Sequence, residues 1–229
     1  MVLIIAEIGV NWDGDFDLVK QMMYKLKLLG INTVKFQAFT LEMVKNHPES
    51  NRLMNSSITK ENVEKIDNIA KEVGIEWFCT PMYPEAVDFL DRFVSRYKIR
   101  EFDGKQIIQN HKTDLFQTTY KKNKDVIISS RIVPTSCSVY DDPHIKWLYC
   151  IPNYPCSFDE IDFSLLKYFD GFSNHCNLIE APIRAIQEGI EILEIHVTSD
   201  KTKDFIDNNV SFDYDQIKEI MKVVKDVNS

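Results

Sequence analysis

Short apolar runs alternate with longer amphipathic stretches eight times along this chain of 229 residues, and few folds accept that order. A strand followed by a helix and another strand implies parallel strands joined by right-handed crossovers. Eight such units close into a (β/α)8 barrel whose functional face lies at the C-terminal ends of the strands. Strands are expected over 2–8, 33–39, 76–82, 97–103, 125–130, 145–151, 171–175 and 192–198. Helices are expected over 16–29, 56–73, 84–96, 113–122, 158–169, 179–188 and 213–227. Gly30, Gly74 and Gly189 stand just past three of these, where a left-handed residue closes a helix. The stretch 131–144 carries Pro134 and Pro143 and is too broken for a full helix, so the fifth outer helix should be absent or abbreviated. The polar, Met-containing segment 40–55 reads as a long loop at the rim.

The whole of 1–229 reads as one domain, a usual length for such a barrel. Hydrophobic residues at 44% suffice for a large core. A net charge of −8 makes nucleic acid and anionic lipid poor partners, although a local basic pocket can still take a small anion. The five cysteines are odd in number and show no CxxC spacing, which points to a reducing cytoplasm. The apolar opening is short and runs directly into Glu7, so it reads as a first strand and not a secretion signal. No window is long enough to cross a bilayer.

Polar residues collect where the strands stop. Glu7 ends the first and Asn11 follows it. Lys35 and Gln37 share a face of the second, since alternate residues point the same way. Thr80 ends the third strand, Lys98 sits in the fourth with Glu101 and Asp103 at its end, and Ser129 and Ser130 end the fifth. Ser173 and His175 end the seventh, and Glu194, His196 and Thr198 share one parity in the eighth. A lysine in a parallel strand costs several kcal/mol unless paired or solvated, so Lys35 and Lys98 mark either an anion site or structural ion pairs. Glu7 is equally a capping residue, Thr80 and Ser129 are ordinary strand-end hydroxyls when taken alone, Tyr154 suits a turn, and Cys79 and Cys150 suit the core. His175 and His196 end neighbouring strands, one βα unit apart, and two imidazoles so placed can share a metal ion. Glu194 and Asn174 flank them and are candidates to orient their rings.

These residues fall into a known order. The opening Ile5-Ala6-Glu7-Ile8-Gly9-Val10-Asn11-Trp12-Asp13-Gly14, then Val34-Lys35-Phe36-Gln37, Phe78-Cys79-Thr80-Pro81, Lys98-Ile99, Tyr154-Pro155, Gly171-Phe172-Ser173-Asn174-His175, Glu194-Ile195-His196-Val197-Thr198, and Asp207 with Ser211, together resemble the N-acetylneuraminate (sialic acid) synthase family. The resemblance spans nearly the whole chain. It implies a barrel enzyme that condenses phosphoenolpyruvate with an N-acetylmannosamine-like amino-sugar aldehyde, releases phosphate and yields a nonulosonic acid. It implies a divalent metal, manganese in the first place with magnesium or cobalt as substitutes, held by His175 and His196. It places Lys35, Thr80, Lys98, Ser129 and Ser173 on phosphoenolpyruvate, and Gln37, Tyr154 and Asp207 beside the sugar. Glu7 and Asp103 are the expected catalytic carboxylates. It also implies a homodimer, and a C-terminal antifreeze-like domain that this sequence does not reach.

The departures are specific. Asn11-Trp12-Asp13-Gly14 stands where the family has Asn-His-x-Gly. In Lys98-Ile99-Arg100-Glu101-Phe102-Asp103 a phosphate-facing serine has become Glu101, and a glutamate has become Asp103. Ser129-Ser130-Arg131 replaces Ser-Thr-Gly. A carboxylate at 101 repels phosphate unless it turns away or Arg100 or Arg131 offsets it. Two other readings therefore stand beside the synthase: another metal-dependent aldolase-type barrel acting on a keto acid, and a non-catalytic barrel that binds sugar or phosphate.

Overall fold

The computed structural model describes residues 2–227. Eight strands run in chain order, β1 (Leu3–Glu7), β2 (Thr33–Ala38), β3 (Glu76–Pro81), β4 (Arg96–Ile99), β5 (Asp125–Ser130), β6 (Ile145–Cys150), β7 (Gly171–Asn174) and β8 (Ile192–His196). Each pairs in parallel with its successor, and β8 pairs back to β1 over Leu3↔Ile192 to Glu7↔His196, so the barrel is closed. Around it lie α1 (Phe16–Leu28), α2 (Leu41–Val44), α3 (Ser50–Ser56), α4 (Val63–Val73), α5 (Pro84–Leu90), α6 (Glu101–Ile108), α7 (Asp114–Tyr120), α8 (Glu180–Gln187) and α9 (Tyr214–Val227).

The helices show why the pattern was readable. In α1 the buried residues are Val19, Met22, Met23 and Leu26, one stripe of a 3.6-residue repeat laid against the barrel. Asp15 caps its start by accepting from the amides of Asp17 and Leu18. Ile217, Ile220, Met221 and Val224 make the same stripe in α9. Gly74 ends α4 at φ 71°, a conformation that a β-carbon disfavours.

The fifth connection is abbreviated as expected, with a single 3-10 turn at Pro134–Ser136. Three other expectations need correction. The helix expected over 158–169 is two 3-10 pieces, Phe158–Glu160 and Phe163–Tyr168, because two capping devices fall within six residues. Ser157 and Glu160 cap each other reciprocally, and Asp162 then accepts from the Ser164 amide to start again. The segment 40–55 is not irregular but holds α2 and α3, and α4 begins only at Val63. Asn62 separates α3 from α4 by accepting from the Thr59 amide and donating to the Ser57 carbonyl.

The third correction bears on the site. The fourth strand stops at Ile99, so Glu101 and Asp103 leave the sheet and form the first turn of α6. Two features favour that turn. Acidic side chains suit a helix N-terminus, and Gly104 lets α6 press onto β5. A β-carbon at Gly104 would lie 2.1 Å from the Ser129 carbonyl oxygen.

Gly171 is as tightly placed in β7, where a β-carbon would lie 2.0 Å from the Ile192 carbonyl oxygen. Neither neighbour is a flexible side chain, so the backbone itself must move. Gly171→Ala is expected to cost about 3 kcal/mol or more, at the upper end of overpacking effects. Gly74→Ala meets no atom within 4 Å and carries only the left-handed backbone term of about 1–2 kcal/mol. Urea unfolding of both variants checks the order; equal losses would show that the barrel seam tolerates the added methyl.

Candidate active site

Register brings the site together. Glu7 pairs with Lys35 on one side and with His196 on the other, so it stands between the lysine strand and the histidine strand. The Lys35 ammonium lies 3.0 Å from Glu7 Oε2 and 3.7 Å from Glu194 Oε2, and donates to the Thr80 hydroxyl at 3.0 Å. Gln37 donates to Glu7 Oε1 at 2.7 Å. Lys98 donates to the Ser129 hydroxyl at 2.7 Å and lies 3.4 Å from Glu194 Oε1, which also accepts from Ser173 at 2.9 Å. Lys35, Lys98, Glu7 and Glu194 are all buried.

The four charges depend on one another. Burial works against the Lys35 charge, but Glu194 and Glu7 together raise its pKa above the ordinary lysine value. Lys98 has one carboxylate within ion-pair distance, Glu194, and burial lowers its pKa below the ordinary lysine value. Burial alone would raise the pKa of Glu194, yet Lys35 and Lys98 bring it down to about 2. Removing one member of such a cluster strands the others, a loss usually larger than the pair's net contribution. The lysines therefore line the cavity and form ion pairs at once, and they are not free cations.

The opposite wall carries the histidines. His175 Nδ1 donates to the Ile151 carbonyl at 2.7 Å, and since a carbonyl only accepts, Nε2 must carry the lone pair. His196 Nδ1 faces Asp207 Oδ2 at 3.4 Å and has no hydrogen-bond partner. An N–H at that position toward a carboxylate leaves its Nε2 as a lone pair too. Both Nε2 atoms point at the Tyr154 hydroxyl, at 2.8 and 3.1 Å. One hydroxyl proton can satisfy only one of them, and a cation at this point would satisfy both. Two imidazoles so placed, with the hydroxyl free to move aside, fit a divalent metal of zinc- or manganese-like preference. Among the described residues no cluster of three or more His, Cys, Asp or Glu side chains is poised around a metal position.

The two walls enclose a cavity of about 340 Å³ lined by Glu7, Lys35, Gln37, Thr80, Lys98, Ser129, Tyr154, Ser173, His175, Glu194 and His196 among others. Every expected site residue is in that lining except Asp103 and Asp207. Asp207 stands behind His196, and buried Asn11 holds it there by accepting from the Asp207 amide while donating to Ser211 and Val197. Asp103 is held by Arg100 at 2.9 Å on α6 and does not reach the cavity, so its expected catalytic place is not supported by the geometry.

Further corrections concern neighbours. Glu194 serves the lysines and Ser173, not the histidine rings. The Asn174 amide donates to the Cys176 carbonyl. Cys150 lines the cavity beside His175, with burial pushing its thiol up to about 12 against the pull of Lys98, so it is no ready nucleophile. Arg100, Glu101, Phe102, Met82 and Pro152 also line the mouth. Arg131 is exposed and outside the lining. The parity of Glu194 with His196 marked it as inward-facing, but its partners lie across the barrel, where sequence spacing has no reach.

Comparison with known proteins gives the site a context. A family model described as "NeuB family" matches residues 8–229. The chain is 27% identical over 259 residues to the N,N'-diacetyllegionaminic acid synthase of Legionella pneumophila, covering 97% of this chain and 71% of that one. It is 26% identical over 253 residues to the N-acetylneuraminate-9-phosphate synthase of Homo sapiens, covering 97% and 69%. Among solved structures, the N-acetylneuraminic acid (sialic acid) synthetase of Leptospira borgpetersenii, in complex with citrate, has the same fold with a TM-score of 0.86. The sequences there are 23% identical, over 99% of this chain and 83% of that one.

The histidine wall has a consequence for stability. Burial first, and His196 second, lower the His175 pKa to about 3. Below the ordinary histidine value the unfolded chain takes up a proton that the folded chain refuses. This contribution is therefore full above about pH 6.5 and is lost progressively as pH falls toward 3, by at most about 1.4 kcal/mol per pH unit. In chelator-treated protein, His175→Gln should lose about 2 kcal/mol less than the parent between pH 6.5 and 5. Urea unfolding at the two pH values measures it; parallel losses in both proteins would contradict the neutral, buried imidazole.

Proposed function

The chain belongs to the NeuB family, and on that footing we propose that it condenses phosphoenolpyruvate with an N-acetylmannosamine-like amino-sugar aldehyde, releasing phosphate and giving a nonulosonic acid. The observation that carries this reading is the facing of two walls in one cavity: two histidine Nε2 atoms aimed at one point, opposite two lysines backed by hydroxyls. Relatives that carry an activity in their names are synthases of legionaminic, N-acetylneuraminic (9-phosphate) and pseudaminic acids.

Lys35, Thr80, Lys98, Ser129 and Ser173 are assigned to the donor. Ammonium and hydroxyl groups suit its carboxylate and phosphate oxygens. Lys98 has the most to gain, since it has a single carboxylate partner, and an incoming anion restores what burial takes from its charge. Glu7, Gln37 and Tyr154 are assigned to the acceptor. Glu7 and Gln37 form a fixed acceptor–donor pair that reads sugar hydroxyls, and Tyr154 offers its hydroxyl from the histidine side. Asp207 holds the His196 ring from behind.

His175 and His196 would hold the divalent metal, manganese in this proposal with magnesium or cobalt as substitutes. When bound it supplies Lewis acidity toward the acceptor's aldehyde oxygen. The chain's own part is alignment. With donor on the lysine floor and acceptor against the histidine wall, the enol carbon faces the aldehyde carbon. Carbon–carbon bonding then proceeds with water adding at the neighbouring carbon and phosphate departing. Holding two reactants at this distance supplies a large share of such a rate enhancement. Asp103, tied to Arg100 outside the cavity, has no part in this scheme.

The test is phosphate release from phosphoenolpyruvate with a panel of acetamido-sugars and manganese. Turnover is expected with at least one acetamido-hexose, and His175→Ala and His196→Ala should each lower it by about a hundredfold or more. Full activity in the double variant, or phosphate release that ignores the sugar, would overturn the proposal.

A further inference from the structure

The cavity is shaped for anions, yet its own charges cancel. Lys35, Lys98 and Arg100 line it, and so do Glu7, Glu101 and Glu194. Lys35 faces Glu7 and Glu194, and Lys98 faces Glu194. Arg100 gives its Nε to Asp103 at 2.9 Å, with Asp103 outside the lining. Each cation already has a carboxylate, and Glu101 is the carboxylate left over. Among the described residues no ion pair or side-chain hydrogen bond holds it. The two arginines nearest in sequence do not cancel it: Arg100 is engaged, and Arg131 lies exposed outside the cavity. Glu101 is half-buried in the first turn of α6, and its charge is felt at the Cys150 thiol on the cavity wall. A helix start tolerates a carboxylate without a partner, so folding alone does not require one to be there for it.

We propose that Glu101 is the specificity-determining residue of this cavity, setting the charge that its α6 side admits and disfavouring a fully ionised phosphoryl group far more than a singly charged carboxylate. Coulomb repulsion at a given distance is twice as large for a dianion as for a monoanion, and a half-buried mouth screens it only in part. The phosphoryl ligand is named from the donor reading above, but the charge argument holds equally for inorganic phosphate. The consequence for a condensing enzyme is a weakened hold on the phosphorylated donor, relieved when position 101 is neutral.

The test is calorimetric titration of inorganic phosphate, phosphoenolpyruvate and pyruvate into the parent, Glu101→Gln, Glu101→Ser and Glu219→Gln at low salt. Glu219 is exposed on α9, so its replacement removes the same charge from the outer surface. Glu101→Gln and Glu101→Ser are expected to bind phosphate and phosphoenolpyruvate about tenfold more tightly, with pyruvate changed less than about threefold and Glu219→Gln unchanged. High salt should shrink the difference. Equal changes for all three ligands, no change in Glu101→Gln, an equal gain in Glu219→Gln, or no measurable phosphate binding in any of the four proteins would overturn the proposal. Tighter phosphate with no phosphoenolpyruvate binding in any of them would uphold Glu101 and overturn the donor reading instead.

Discussion

Glu194 is the carboxylate on which the mouth of this barrel depends. It sits in β8 between two buried ammonium groups, 3.7 Å from Lys35 and 3.4 Å from Lys98, and accepts from Ser173 as well. Without it the buried lysines would face each other as like charges, and at least one would be pressed to lose its proton or turn away. With it they stay in place, and their unequal share of carboxylates makes them unequal: Lys35 is firmly charged, while Lys98 is held more loosely.

The same strand carries His196 two residues on, so β8 joins the lysine floor to the histidine wall. Its register with β1 puts His196 beside Glu7, and its register with β7 puts Glu194 beside Ser173. Gly171 makes the β7–β8 seam close enough for that second pairing. Outside the barrel, Asn11 draws the loop after β8 inward until Asp207 meets the His196 ring. Packing at the seam, register and ring orientation are therefore one connected arrangement.

Much of this was legible in the sequence, and the boundary is physical. The eight strands and the broken fifth connection follow from periodicity and proline placement, which are local. The inward-facing set from Lys35 to His196 follows from strand parity, also local. What failed was decided by competition between neighbouring signals or by contacts across the barrel. The segment 97–103 has strand composition, but α6 begins at Glu101 because Gly104 can press against β5. That carries Asp103 out of the cavity while leaving Glu101 in it. The region 158–169 has helical spacing, but two capping pairs split it. Glu194 was placed correctly as inward yet joined to the wrong partners, because its lysines come from strands β2 and β4.

The proposed chemistry needs a cation and an anion to meet in one cavity, the cation between His175 and His196 and the anion on Lys35 and Lys98. Diffraction from crystals soaked with manganese and phosphoenolpyruvate, collected at the manganese absorption edge, addresses it directly. The account predicts one anomalous peak within bonding distance of both Nε2 atoms, with the Tyr154 hydroxyl moved from between them and donor density against the two lysines. A manganese peak elsewhere, with Tyr154 still bridging both imidazoles and no donor on the lysine floor, would contradict it.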